Sequence, residues 1–274
     1  KEIALSQDGM IDLDALLAAI TPQTGMILFQ RSKGYQWRPS ITIVELTKVL
    51  QVIKKKHPEV ICLVDNCYCE LVQRVEPGEA GADLVVGSLI KNPGGALAQC
   101  GGYLVGKKAY IEKAACRLMA PGLGLDMGAS QAFNRLTFQG LFQAPLIIQQ
   151  ALKGAVLAAE FFNRLGYPVL PLSNAPRCDI VQAIKLDQPE KLIAFCQGIQ
   201  KACPLDSMYR PEPAQLPGYD YPVIMAGGTF IQGSSIELSA DGPLRPPYIA
   251  YMQGGISFAQ IKLGILLAAK EVSM

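Results

Sequence analysis

Short apolar runs alternate with amphipathic segments in the first half of the chain. The runs are almost continuously apolar, as expected for strands that are covered on both faces. An alternation of strands and helices is typical of a mainly parallel sheet with crossover helices, so the pattern predicts an α/β fold. The predicted strands span residues 26–29, 60–64, 84–86 and 101–105.

The segment between the first two strands has the pattern of an amphipathic helix. Thr42 and Glu45 have the spacing of a capping box, which predicts that the helix begins near Thr42. Lysines 54–56 suit the negative end of the helix dipole, and His57 before a proline is interpreted as a solvated turn residue. The apolar stripe of this helix consists of Ile43, Leu46, Leu50 and Ile53.

The pattern changes near residue 140, where a long helix is predicted over residues 145–165. A smaller α+β unit follows, so we assign residues 1–140 to a large domain and residues 141–274 to the linking helix and a smaller domain. Ile236 and Leu238 alternate with polar residues, which predicts a half-buried strand. The predicted elements of this unit are strands over residues 179–186 and 235–239 and helices over residues 190–202 and 256–269.

Charge gives no sign of a nucleic-acid or anionic-lipid partner. The 274 residues carry a net charge of +2, and only 18% of them are charged. The two longest apolar stretches are interrupted by glutamines and lysines, which argues against membrane spans. Small molecules are therefore the expected partners.

Eight cysteines lack a regular spacing, and no apolar leader precedes them, so they are interpreted as reduced thiols of a cytoplasmic protein. Cys67 and Cys69 are the only close pair, and one histidine cannot complete a zinc site with them, so no metal is expected. The same scarcity of histidine disfavours Ser-His and Cys-His nucleophiles.

Two strand ends carry the candidate chemistry. Asp65 closes the strand at 60–64, and Lys91 follows the next strand in a Gly- and Pro-rich loop, with Ser88 three residues before it. Ligands of open α/β sheets gather at the carboxyl ends of the strands. Taken alone, Asp65 could be a helix cap and Lys91 a surface lysine.

Together these residues match the needs of pyridoxal phosphate. That cofactor requires a lysine for its Schiff base and a carboxylate that keeps its pyridine nitrogen protonated, which are the roles predicted for Lys91 and Asp65. Ser88 is the candidate for the phosphate. Tyr68 is the candidate phenol for the 3-oxygen of the ring.

Five segments carry a closer resemblance. The DxxY and SxxKN motifs resemble fold-type-I pyridoxal-phosphate enzymes, and the chain as a whole resembles the methionine gamma-lyase-related family called aluminium resistance proteins. The matching segments are QRSKGY at 30–35, VDNCY at 64–68, GADL at 81–84, GSLIKNPGG at 87–95 and SIELSADGPLRPPY at 235–248.

The resemblance implies a fold-type-I carbon–sulfur lyase that acts on a sulfur amino acid by β- or γ-elimination. It implies that Cys67 packs beneath the cofactor ring, and it supports the roles of Lys91, Asp65, Tyr68 and Ser88. We further expect Arg245, held in a proline-rich loop, to bind the substrate carboxylate. Arg31 and Lys33 are expected to face the same crevice, and a homodimer or homotetramer is implied.

Members of that family carry a preceding segment with the first strands, the residue that stacks on the ring and the main phosphate loop. The sequence begins at Lys1 without such a segment. Two alternatives therefore stay open: a non-catalytic fragment or subunit that needs an N-terminal segment, and another reaction on the same cofactor and fold.

Overall fold

The computed structural model describes residues 1–125, 128 and 133–274. Its first half contains a four-stranded sheet in the order β1-β2-β3-β4. Strands β1, β2 and β3 are parallel, and β4 is antiparallel to β3. The strands are β1 (Met26–Gln30), β2 (Ile61–Asp65), β3 (Leu84–Ser88) and β4 (Gly102–Gly106), and the helices are α1 (Leu13–Ala19), α2 (Ile43–Lys56) and α3 (Lys108–Leu118).

The four predicted strands of this half are confirmed to within two residues at each end, and helix α2 is confirmed as well. The Thr42 hydroxyl accepts a hydrogen bond from the Glu45 amide at 3.2 Å. The second half of the predicted capping box is wrong, because the Glu45 carboxylate accepts from the Ile11 amide at 2.9 Å instead. His57 is the C-terminal cap of α2, in agreement with its interpretation as a turn residue.

The second half of the chain contains a five-stranded antiparallel sheet in the order β5-β6-β9-β8-β7. Helices α4, α5 and α6 pack on this sheet around a core that includes Phe162, Phe195 and Ile265. The elements are α4 (Asn134–Arg164), β5 (Val169–Leu170), β6 (Gln182–Lys185), α5 (Pro189–Gln200), β7 (Val223–Ala226), β8 (Ser239–Pro243), β9 (Ile249–Gln253) and α6 (Phe258–Val272).

The predicted strand at 235–239 is wrong. Ile236 and Leu238 are buried as the alternation requires, but the segment forms turns, and the strand β8 begins only at Ser239. Glu237 is buried too, because its carboxylate accepts hydrogen bonds from the amides of Phe230 and Ile231. A buried loop that is held by hydrogen bonds to a side chain can thus show the same apolar–polar alternation in sequence as a strand.

The long linking helix begins at Asn134, eleven residues before the predicted start, and Pro145 lies inside it. By length and composition alone α4 could cross a membrane. One face of α4, which includes Ala144, Ile148 and Ala151, is buried in the protein core.

Helix α4 also touches the turn that follows β3. A Cβ added to Gly140 would lie 2.1 Å from the Gly94 carbonyl oxygen, and one added to Gly95 would lie 2.2 Å from the Gly140 carbonyl oxygen. These close backbone contacts fix the position of the turn that carries Lys91.

Candidate active site

A cavity of about 460 Å³ opens at the carboxyl ends of β2 and β3. Asp65 and Lys91 line it from the first sheet. Asp241, Arg245 and Tyr251 line it from the second sheet and the loop after β8. The sequence prediction that the two strand ends meet in one crevice is confirmed.

Asn92 positions Lys91. Lys91 precedes a short 3-10 turn, Asn92–Gly94, and the buried Asn92 side-chain amide donates to the carbonyl oxygens of Tyr68 and Glu70, each at 3.0 Å. The SxxKN motif therefore ties the lysine turn to the segment after β2. Sequence reasoning noted this asparagine without assigning it a role.

The Lys91 amine lies over the Tyr68 ring, 4.8 Å from the ring centroid. Burial by itself would lower the pKa of Lys91, but the neighbouring Tyr68, Cys67 and Asp65 raise it above its ordinary value. Burial raises the pKa of the Cys67 thiol to about 11. At neutral pH the cavity thus contains an ammonium beside a neutral thiol.

Tyr68 has an unusual backbone conformation, with φ of 71°. A residue other than glycine in this region is uncommon, and such strain is often found at functional sites. Its carbonyl oxygen accepts from the Ile180 amide at 3.2 Å as well as from Asn92. Burial raises the pKa of the Tyr68 phenol, which therefore remains a hydrogen-bond donor.

Asp65 ends β2, and no helix follows it, so the helix-cap interpretation is wrong. Its Oδ1 atom accepts from the amide of Cys67 at 3.0 Å, which orients the carboxylate at the strand end. Cys67 lines the same cavity.

Two other predicted residues, Ser88 and Arg31, do not line the cavity, and a third, Lys33, does. The Ser88 hydroxyl accepts from the Ile90 amide at 3.4 Å and does not line the cavity. Arg31 was expected in the crevice, and this is wrong: it is fully buried and donates to Ile41, Asn66 and Gln73. Lys33 does line the cavity, but its amine pairs with Asp179 at 2.9 Å.

Arg245 lies in the loop between β8 and β9 and lines the cavity, as predicted. Its guanidinium donates to the Tyr35 carbonyl oxygen at 2.8 Å and lies 5.8 Å from the centroid of the Tyr221 ring. These contacts orient a planar cation at the edge of the cavity.

The structure adds a polar wall that sequence reasoning missed. The Asp241 carboxylate accepts from the side-chain amide of Gln253 at 2.9 Å. Burial raises the pKa of Asp241 to about 6. The Tyr35 ring packs between those of Tyr219 and Tyr251, with centroid distances of 5.6 and 5.4 Å. In the sequence, Asp241 is a carboxylate between two small residues. It was missed because the strand predicted at 235–239 ended before it.

Glu70 makes the free energy of unfolding of the protein depend on pH. The buried carboxylate accepts from the Tyr103 hydroxyl at 2.9 Å, and burial raises its pKa from the ordinary value of 4.5 to about 7. Between these pH values the folded protein holds a proton that the unfolded chain releases. The contribution of Glu70 to the free energy of unfolding therefore falls by roughly 3 kcal/mol as the pH rises through this range.

We expect Glu70→Gln to stabilise the protein relative to the wild type at pH 8, by roughly 1–3 kcal/mol, and to have little effect near pH 4.5. Urea unfolding at several pH values between 5 and 8 measures this difference. Glu112→Gln, on the exposed face of α3, is the control and should show no growing difference. A constant difference between Glu70→Gln and wild type would contradict the titration of Glu70.

A mainly parallel sheet that presents a lysine and an aspartate at adjacent strand ends, with a smaller antiparallel unit beside it, is the architecture of the fold-type-I enzymes. Yeast cystathionine gamma-lyase has the same fold at 17% identity, with a TM-score of 0.60 over 94% of this chain and 67% of its own. The predicted fold type I is confirmed. Residues 1–273 match the methionine gamma-lyase family model, so the chain belongs to that family.

Two similar proteins match nearly the whole chain. The YnbB protein of Bacillus subtilis is 50% identical over 270 residues, which cover 98% of this chain and 64% of that protein. A Listeria monocytogenes structure, proposed to be a cystathionine beta-lyase involved in aluminium resistance, is 45% identical with a TM-score of 0.94; the match covers 98% of this chain and 66% of that one. The chain thus spans about two thirds of the length of these relatives.

Proposed function

We propose that the whole protein is a pyridoxal-phosphate-dependent carbon–sulfur lyase that acts by β- or γ-elimination on a sulfur-containing amino acid. The observation that carries the proposal is the convergence of Lys91 and Asp65 on one cavity at adjacent strand ends. Family membership and the role proposed for the Listeria relative support the same chemistry.

The residues of the cavity fit this cofactor. Within the part of the chain that the structure describes, the Lys91 amine forms no salt bridge, so it is available to hold an aldehyde covalently. Asp65 would pair with the pyridine nitrogen, Tyr68 would donate to the ring oxygen and Cys67 would pack beneath the ring. Pyridoxal phosphate supplies an electron-accepting ring that is conjugated with the amino nitrogen of the substrate.

The side chains of this protein would then bind the substrate and move protons. Arg245 presents a fork of N–H donors that suits a substrate carboxylate. The Lys91 amine would take the proton from the α-carbon of the substrate as general base. Asp241 lines the same cavity.

A substrate panel tests the proposal. The purified protein is loaded with pyridoxal phosphate and incubated with cystathionine, cysteine or methionine. Breaking one carbon–sulfur bond consumes one water and yields a thiol, ammonium and a keto acid in equal amounts. Pyruvate indicates β-elimination and 2-oxobutyrate γ-elimination, whereas bound cofactor without keto acid from these three or from S-benzyl-L-cysteine would refute the lyase proposal.

The proposed partners are a small amino-acid substrate and a second copy of this chain. Helix α4 exposes an apolar stripe, defined by Phe138, Leu141, Phe142 and Leu146, whose spacing places them on one helix face. Phe142 is 86% exposed. A buried aromatic side chain removes about 150–250 Å² from water, so the two phenylalanines of this stripe would supply roughly half of the roughly 800 Å² per partner of a stable interface.

We expect Phe142→Asp to lower the mass that light scattering reports at micromolar concentration, because a carboxylate buried in an apolar interface is costly. Phe230→Asp replaces an exposed phenylalanine outside the stripe and is the control. A wild-type protein that is monomeric at these concentrations would rule out the second copy.

The cytoplasm is the compartment that we propose, because all eight cysteines are free thiols. Reducing compartments preserve such thiols, whereas secreted proteins tend to pair them. Five of the eight are buried, so the core packs around reduced cysteine.

A further inference from the structure

A second cavity, which we call the outer cavity, adjoins the one that contains Lys91. Its volume is about 400 Å³, and the residues that it shares with the Lys91 cavity are Tyr35, Gln36, Tyr221, Pro243, Arg245 and Tyr251. Its remaining walls include Trp37, Pro246, Pro247 and Ile249. Lys91 thus lines one of two adjoining cavities and Trp37 lines the other.

Most walls of the outer cavity are aromatic or aliphatic, and its neutral polar side chains are Gln36 and the tyrosines. Among the residues that the structure describes there, the one charged side chain is Arg245, whose guanidinium already donates to the Tyr35 carbonyl oxygen. Asp65, Asp220 and Asp241 line the Lys91 cavity and do not reach the outer one. The outer cavity therefore offers no carboxylate to an ammonium group.

The shared residues determine which end of a substrate would enter. The α-amino and α-carboxylate groups of an amino acid match Lys91 and Arg245, as the proposed function requires. A substituent on sulfur would then point past Tyr35 and Tyr221 toward Trp37. Flat apolar groups pack well against aromatic rings, whereas an ammonium group loses hydration there without finding a carboxylate.

We propose that the outer cavity is the subsite for the sulfur substituent and that it selects a flat apolar group over a second amino-acid end. The inference rests on the proposed lyase function and names its substrate class as cysteine conjugates with an aryl or arylmethyl group on sulfur. Cleavage of such a conjugate by β-elimination and hydrolysis releases the aromatic thiol, pyruvate and ammonium with one water consumed. L-cystathionine instead carries a second, charged amino-acid end in its sulfur substituent.

Trp37 provides a direct measurement, since it is the one tryptophan of the sequence and lies in the outer cavity. The purified protein is titrated with S-benzyl-L-cysteine and with L-cystathionine, with and without pyridoxal phosphate, while the fluorescence of Trp37 is recorded. We expect S-benzyl-L-cysteine to change the emission saturably, with a dissociation constant at least tenfold below that of L-cystathionine. Equal or tighter binding of L-cystathionine, or binding of S-benzyl-L-cysteine without a change in emission, would overturn the proposal.

Kinetics of the loaded protein give a second measurement. Trp37→Ala should lower kcat/KM for S-benzyl-L-cysteine at least tenfold more than kcat/KM for cysteine, which has no sulfur substituent. Met208→Ala, at an exposed methionine outside both cavities, is the control and should leave this ratio as in wild type. If Trp37→Ala leaves the ratio of kcat/KM for S-benzyl-L-cysteine to kcat/KM for cysteine as in wild type, the subsite is refuted.

The two proposals can fail separately. A Trp37 signal with S-benzyl-L-cysteine but no keto acid from any substrate contradicts the lyase function and retains the binding site. Keto acid from L-cystathionine with no preference for the benzyl conjugate contradicts the subsite and retains the lyase function.

Discussion

Lys91→Ala is expected to abolish covalent attachment of pyridoxal phosphate and to lower keto-acid release by at least about 10³-fold, because the variant loses both the amine that holds the cofactor and the general base. Visible absorbance after gel filtration reports the attachment. Borohydride reduction followed by mass spectrometry of the peptide that contains residue 91 locates it.

The matched control for this substitution is Lys108→Ala. The Lys108 side chain is 89% exposed and lies on α3, where its loss removes a weak ion pair with Glu112. It should retain wild-type absorbance and keto-acid release. A Lys91→Ala protein that still carries a reducible cofactor would show that another lysine is the attachment site.

Lys33→Met is expected to lower the free energy of unfolding by about 3–5 kcal/mol, which is the usual cost of removing one partner of a buried ion pair. Lys33 and Asp179 are both almost fully buried, and their side chains meet at 2.9 Å. The pair joins the loop after β1 to the segment before β6. Without the lysine, Asp179 keeps its hydrogen bonds to Ser40 and to the Val181 amide but loses its cation.

Urea unfolding of the wild type, Lys33→Met and the double variant Lys33→Met/Asp179→Leu measures this effect. The double variant should recover most of the lost stability, since it removes the unpaired charge together with its partner. A single variant as stable as wild type would contradict the predicted cost of leaving the Asp179 carboxylate without its cation. The same loop carries Tyr35, so the pair also fixes one wall of both cavities.

Much of the fold followed from local patterns. The apolar stripe of α2 and the continuous runs of β2 and β3 predicted these elements because burial on one or both faces requires the corresponding period. The prediction failed where a loop was buried through side-chain hydrogen bonds, as at Glu237. The start of α4 was missed because Pro145 suggested a beginning, although the helix continues through it.

The parallel strands of the first sheet explain why Asp65 and Lys91 line one cavity. Asp65 and Lys91 had to lie at the same edge of the sheet, since parallel strands present their carboxyl ends together. Arg31 showed the limit of this reasoning, because it also follows a strand but turns into the protein and donates to Asn66 and Gln73. The direction of a side chain depends on which partners the surrounding segments provide.

The sequence by itself determined the alternation of strands and helices, the two strand ends with their lysine and aspartate, and the resemblance to a family of carbon–sulfur lyases. These features depend on neighbours within a few residues or on motifs along the chain. The tertiary structure alone decided that Asp241, Tyr35 and Tyr251 complete the cavity around Lys91, and that Trp37 and Ile249 form an outer one. Such contacts join residues some two hundred positions apart, and they are fixed by the packing of the second sheet against the loops of the first, which local periodicity does not encode.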